Sequence, residues 1–192
     1  VSNPEFLRQG SALEDFQSPD RVIIGVSDES SRALMAQVYE PITKASHTPI
    51  LFMDHTSAEL AKYASNSFLA LKISYINELA RLAENLGADI DQVKEGFTSD
   101  RRINPSFFSP GIGFGGSCFQ KDILNLVYIA KTFGLQEVAD YWEQVIIMND
   151  HQKQRFAANM VKRMYNTVSG KKIAIFGWAF KKDTNDTRES AA

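Results

Sequence analysis

The spacing of apolar residues changes character along the chain, and each change predicts a different kind of element. "RVIIGV" (Arg21 to Val26) is a short β-branched run bounded by "SPD" and "SDES", the pattern of a strand. "ESSRALMAQVYEPI" then has helical spacing, with an expected end near Pro41, since proline cannot donate to the helical ladder. "PILFM" (Pro49 to Met53) is a second short apolar strand. Strand, helix and strand together predict a fragment of an α/β sheet.

The middle of the chain follows a different period. Thr56 and Glu59 have capping-box spacing, and Leu60, Ala64, Phe68, Leu71, Tyr75, Leu79, Leu82 and Leu86 recur at steps of three or four. Gly87 supplies the C-cap, so the pattern predicts one unbroken helix of about 46 Å. A helix of that length suits the spine of a helical domain or a dimer interface. A helix capped by Asp89 follows, then a loop rich in Gly, Pro and Phe from about Asp100 to Gly116. Helices are expected from Ser117 to Phe133 and from Gln136 to Asn166, before "KKIAIFGWAF" (Lys171 to Phe180) returns to a strand. The fold class is therefore mostly α: a remnant of a Rossmann-type α/β domain over 1–54, an all-α central domain over 55–168, and the start of a second Rossmann-like domain over 169–192.

Composition narrows the partners. The 21 basic and 23 acidic side chains nearly cancel, so no overall field favours nucleic acid or an anionic membrane. No apolar run approaches the roughly 20 residues of a membrane helix, and "VSNPEFLRQGS" lacks the build of a signal peptide. The single cysteine excludes an intrachain disulfide and suits a reducing compartment, the cytoplasm. Three scattered histidines have no ligand spacing, so no metal site is expected. A chain that opens on Val and holds the end of one domain and the start of another reads as a piece of a longer protein.

That cysteine lies in "GFGGSCFQKD" (Gly113 to Asp122). Ser117 and Gln120 have capping-box spacing, which makes Cys118 the first helical residue. There, free backbone N–H groups and the positive end of the helix dipole favour a nucleophilic sulfur. Lys121 adds positive charge, and Asp122, four residues on, shares the face of Cys118 and suits proton handling. Lys62 and Asn66 share another helical face, where an ammonium and a carboxamide can hold an oxyanion. Each of these residues also has a plain structural reading: a packed cysteine, a solvated lysine, a filler asparagine. Arg102 and Glu5 alone read equally well as surface charges. A non-catalytic helical dimerisation scaffold therefore stays open on spacing alone.

"NPEFL", "ELAKYASNSFLALKISYINELA", "GFGGSCFQKDILNLVYIA" and "KKIAIFGWAFKKDTNDTRES" together resemble the nucleotide-sugar dehydrogenases of the UDP-glucose 6-dehydrogenase type, over essentially the whole chain. The resemblance implies oxidation of the UDP-glucose C6 hydroxyl to a carboxylate with two NAD per turnover, through a cysteine thiohemiacetal and thioester. It gives Cys118 the role of nucleophile, Lys62 and Asn66 the stabilisation of developing oxyanions, Asp122 acid/base chemistry and Glu5 thioester hydrolysis. Substrate contacts carry over to Phe6, Leu7, Arg102 (across a homodimer), Phe114, Gly115, Phe180 and Lys181. Lys121 and Arg188 carry over as cofactor-side positions. Related enzymes acting on GDP-mannose or UDP-N-acetylmannosamine are the near alternative. The G-x-G-x-x-G fingerprint that holds NAD is not found in the sequence, so this piece is expected to bind NAD poorly and to be inactive alone.

Overall fold

The computed structural model describes residues 1–192. Eight elements follow in the order α1 (Ala12–Gln17), β1 (Val22–Gly25), α2 (Glu29–Ser46), β2 (Ile50–Met53), α3 (His55–Leu86), α4 (Ile90–Thr98), α5 (Ser117–Thr132) and α6 (Gln136–Arg163). They form two compact units, residues 1–65 and 66–192, which divide within α3. The expected class holds: a small parallel sheet, then a predominantly helical chain.

In the first unit, β1 and β2 pair in parallel from Val22↔Ile50 to Gly25↔Met53. Parallel neighbours need a crossover, and α2 supplies it. Asp28 starts α2 by accepting the Ser31 N–H at 2.7 Å. Pro41 does not end this helix, contrary to the sequence expectation; it lies inside, and α2 runs on to Ser46. Proline removes a single backbone bond, and the turn beyond it is bonded by the Thr43 hydroxyl to the Tyr39 carbonyl (3.0 Å) and by the Ser46 hydroxyl to Ile42 (2.8 Å). His47, in the left-handed region at φ 55°, closes the helix instead. All of β1 is buried, and each fully covered residue such as Ile24 contributes about 1.5–3 kcal/mol through removal from water.

The long helix α3 forms as one piece of 32 residues, about 48 Å. Its cap differs from the expected box. Asp54 accepts the Ser57 N–H at 2.9 Å and the Ser57 hydroxyl at 2.6 Å, so the helix starts one residue before Thr56. At the other end Gly87 takes φ 71° and the Ala88 N–H reaches back to the Ala83 carbonyl (3.0 Å), a Schellman closure. Its face of large apolar residues is not the buried one. Leu60, Phe68, Tyr75, Leu82 and Leu86 are exposed, whereas Ala58, Ser67, Ala70, Ile76, Asn77 and Ala83 are buried. The buried face therefore mixes small residues with Ile76 and Asn77, and most of the large apolar residues of the expected stripe stay outside it.

In the second unit, Ala70 of α3 joins Phe114, Ile123 and Val127, Ala130, Ala139 and Val145 of the loop, α5 and α6 in one core. Beside it Tyr75, Phe97 and Phe108 pack edge to face, with centroids 5.2 to 6.1 Å apart. As expected, the Asp89 carboxylate caps α4, bonded to the N–H groups of Asp91 and Gln92. The expected strand from Lys171 to Phe180 does not form, and no helix or strand follows α6. A strand needs a neighbour for its N–H and C=O groups, and none lies beside this run. No helix of the protein is long and apolar enough to cross a membrane.

Candidate active site

The glycine-rich loop turns into α5 at Gly116, whose φ of 79° makes it the N-cap in place of Ser117. Cys118 is therefore the second helical residue and not the first. It remains in the first turn, among N–H groups without helical partners, and it is exposed. One turn on, Asp122 is buried, and its carboxylate accepts the Asn66 side-chain N–H at 2.6 Å. Asn66 is itself buried. The bond fixes the orientation of both side chains beneath the turn that carries the sulfur, a contact 56 positions apart that no local spacing reveals.

The loop before the cysteine is packed from two sides of the second unit. The Phe114 ring is buried and meets Phe119 edge to face at 5.8 Å. On the other side the Gly116 N–H donates to the Glu189 carbonyl at 2.8 Å, and a Cβ at Gly115 would collide with that oxygen. A Cβ at Gly116 would lie 2.9 Å from the Phe180 ring. Glycine is thus required at both positions by close approach. Of the residues expected to touch substrate, Phe114, Gly115 and Phe180 come together here. Lys181 is exposed, and its carbonyl accepts the Thr184 hydroxyl at 2.9 Å. Lys121 points to solvent. Arg102 and Arg188 are exposed and each grips a near neighbour, Asp100 at 2.5 Å and Asp186 at 2.9 Å. Those carboxylates hold both guanidiniums above their usual range.

The first unit holds a second cluster. The Glu5 carboxylate accepts the Leu7 N–H at 2.6 Å and lies 3.9 Å from the Lys62 ammonium. The Phe6 ring receives two cations, Arg21 at 4.2 Å and Lys62 at 5.0 Å from its centroid. Leu7 is exposed. Arg21 was not singled out in the sequence; a cation beside an apolar strand run was the one available signal.

Residues 56–151 match the family model described as the UDP-glucose/GDP-mannose dehydrogenase family, central domain. The chain belongs to the UDP-glucose/GDP-mannose dehydrogenase family. Residues 1–43 match the NAD binding domain of the same family. The chain is 51% identical over 194 residues to UDP-glucose 6-dehydrogenase 2 of Oryza sativa subsp. japonica, and 50% identical over 197 residues to UDP-glucose 6-dehydrogenase of Gallus gallus. Each alignment covers 100% of this chain, which spans only 40% and 39% of those relatives. Among solved structures, a UDP-glucose dehydrogenase from Pyrobaculum islandicum matches 99% of the chain and 42% of its own, at 43% identity and a TM-score of 0.90. The UDP-D-ManNAc dehydrogenase of Pyrococcus horikoshii matches at 28% identity and a TM-score of 0.79, over 98% of this chain and 43% of its own.

The NAD of this family needs a glycine-rich turn at a helix start for its pyrophosphate. Neither β-to-α turn here fits. The start of α3 is occupied by the Asp54 carboxylate, which accepts the Ser57 N–H and hydroxyl. The same holds for the turn ahead of α2. Its helix N-terminus is already taken by the Asp28 carboxylate, which the Ser30 hydroxyl and the Ser31 N–H and hydroxyl hold down at a pKa of about 2. A fixed anion there repels a phosphate.

Proposed function

We propose that this chain supplies the thiol chemistry of a UDP-glucose 6-dehydrogenase, the enzyme that converts UDP-glucose to UDP-glucuronate. The observation that carries the reading is the exposed Cys118 in the first turn of α5, with the buried Asp122–Asn66 pair one turn below it.

In this reading the sulfur adds to the C6 aldehyde of the nucleotide sugar. The C–S bond forms, the carbonyl pair moves to oxygen, and the alkoxide is stabilised by a preorganised donor before it takes a proton. Asn66 and Lys62 are the donors that the resemblance assigns. Later, water adds to the thioester carbonyl, the C–S bond breaks, and the sulfur leaves as thiolate. Asp122 and Glu5 are the carboxylates assigned to moving the water's protons. The oxidation of the C6 alcohol to the aldehyde and that of the thiohemiacetal to the thioester each belong to NAD chemistry, for which these residues hold no cradle. Phe6, Leu7, Phe114, Gly115, Phe180, Lys181 and Arg102 are assigned to the substrate, and Lys121 and Arg188 to the cofactor side. The exposed stripe Leu60, Phe68, Tyr75, Leu82 supports pairing with a second copy of the chain, in the cytoplasm, along α3.

The test is the full-length protein with UDP-glucose and NAD. Two NADH per UDP-glucose are expected, with a loss on the order of a thousandfold or more for Cys118→Ser. A stoichiometry near one would dispose of the thioester scheme. Faster turnover of GDP-mannose or UDP-N-acetylmannosamine would move the chain to a sibling specificity. The 192 residues alone are expected to produce no NADH.

A further inference from the structure

Three buried carboxamides outside the expected site converge on the loop that leads to Cys118. Asn149 of α6 bonds both polar groups of the Phe114 backbone: its Oδ1 accepts the Phe114 N–H at 2.8 Å and its Nδ2 donates to the Phe114 carbonyl at 3.0 Å. One turn along α6, Gln152 Nε2 donates to the Gly111 carbonyl at 2.7 Å. From α3, Asn77 Oδ1 accepts the Gly111 N–H at 2.8 Å. Four hydrogen bonds therefore hold two residues of an irregular loop, as a neighbouring strand would hold them in a sheet. All three side chains are more than nine-tenths buried.

The glycine between the gripped residues fits this arrangement. Gly113 has φ of 114°, and a Cβ there would lie 2.8 Å from Asn149 Oδ1. The approach of Asn149 to the backbone is open only to glycine at that position. Asn77 Nδ2 and Gln152 Oε1 are buried with no hydrogen-bond partner, so each of these carboxamides holds Gly111 with one polar end at the expense of the other. What the carboxamides provide is a loop fixed on both sides of Gly113, with Phe114 seated in the core, just ahead of the Gly116 cap and the first turn of α5.

We propose that Asn149, assisted by Gln152 and Asn77, is a positioning residue for Cys118: it fixes the loop so that the sulfur is presented at one place relative to the helix start. The role rests on the reading of Cys118 as the nucleophile. It acts through backbone, without touching substrate.

The experiment uses the full-length protein and two near-isosteric variants. Asn149→Asp keeps an acceptor for the Phe114 N–H and sets an oxygen against the Phe114 carbonyl, and Gln152→Met removes the Gly111 bond at constant length. Asp150→Asn, on the exposed side of α6, is the control. Asn149→Asp is expected to lower kcat for UDP-glucose about a hundredfold, the scale of an ångström-level misplacement, with a much smaller change in KM. Gln152→Met should lower kcat less, and Asp150→Asn not at all. Alkylation of Cys118 by iodoacetamide at fixed pH, without substrates, should slow about two- to fivefold in Asn149→Asp as the helix-start environment loosens. Melting temperature reports folding in each case. Unchanged kcat and unchanged alkylation in folded Asn149→Asp overturn the proposal. If that variant does not fold, Gln152→Met decides by the same two readings. Wild-type protein that makes no NADH from UDP-glucose overturns the functional reading, and the alkylation series then still tests the loop's hold on Cys118.

Discussion

Two runs of the chain, "VIIG" at Val22–Gly25 and "IAIFG" at Ile173–Gly177, are almost interchangeable in composition, yet only the first is a strand. In β1 the Val22 N–H reaches the Pro49 carbonyl at 3.0 Å, the Val26 N–H follows to Met53 at 2.9 Å, and the side chains are buried. In the second run Ile173, Ile175 and Phe176 are exposed, as is Trp178 just after it, and Phe176 is fully so. β-Propensity describes fitness for a pleated, half-buried surface, and that surface has to be supplied by other residues. The sheet around β1 is present in the chain. A sheet around Ile173 is not.

Mutation should separate the two runs most clearly. Ile24→Ala, at a site with no exposure, should cost about 2–5 kcal/mol in urea denaturation. Ile175→Ala should stay within about 0.5 kcal/mol. Equal costs would mean that the second run is packed as well. Gly25→Ala tests the end of β1, because its Cβ would lie 2.8 Å from the His55 Cα and 2.9 Å from the Ala58 Cβ. Relief requires backbone movement, so a loss of about 1–3 kcal/mol is expected.

Hydrogen exchange should sharpen the contrast without mutation. The Val22 and Val26 amides are expected to exchange slowly and those of Ile173 to Phe176 near the rate of an open chain. Protection across Ile173 to Phe176 would refute the description of that run as unpaired.

The smallest effect expected is one of pH. Asp28 caps the helix that follows β1, and hydrogen bonds from the Ser30 hydroxyl and the Ser31 N–H and hydroxyl lower its pKa from 3.8 to about 2. A depressed folded-state value means stabilisation that is complete above the unfolded value of 3.8 and is lost as the pH falls toward 2. Asp54, held by the Ser57 hydroxyl and N–H at the start of α3, shifts in the same direction. Acid titration of Asp28→Asn followed by helical circular dichroism should show a shallower loss over that window than the parent. An identical profile would remove Asp28 as a source of the acid sensitivity.

The candidate site shows the same division between local and distant information. Cys118 was legible because a glycine-rich turn followed by helical spacing is a local signal. The off-by-one cap arose because Gly116, at φ 79°, performs by backbone conformation what Ser117 was expected to do by side chain. Asn66 and Asp122 were each legible, but their bond was not, since it joins two helices. Asn149 and Gln152 gave no signal beyond polar residues one turn apart on α6. Their partners are main-chain atoms of a loop, and main-chain atoms leave no trace in residue type.

By itself, then, the sequence determined the periods, some helix ends and the chemistry of single residues, because these depend on neighbours within a turn or two. Only the tertiary structure decided which apolar run became a strand, which face of α3 was buried, that Pro41 stayed inside its helix, and which carboxamides hold the loop ahead of Cys118. Those outcomes depend on whether a partner surface arrives to take a hydrogen bond or exclude water. Partners that meet only in the folded chain lie beyond the reach of local spacing.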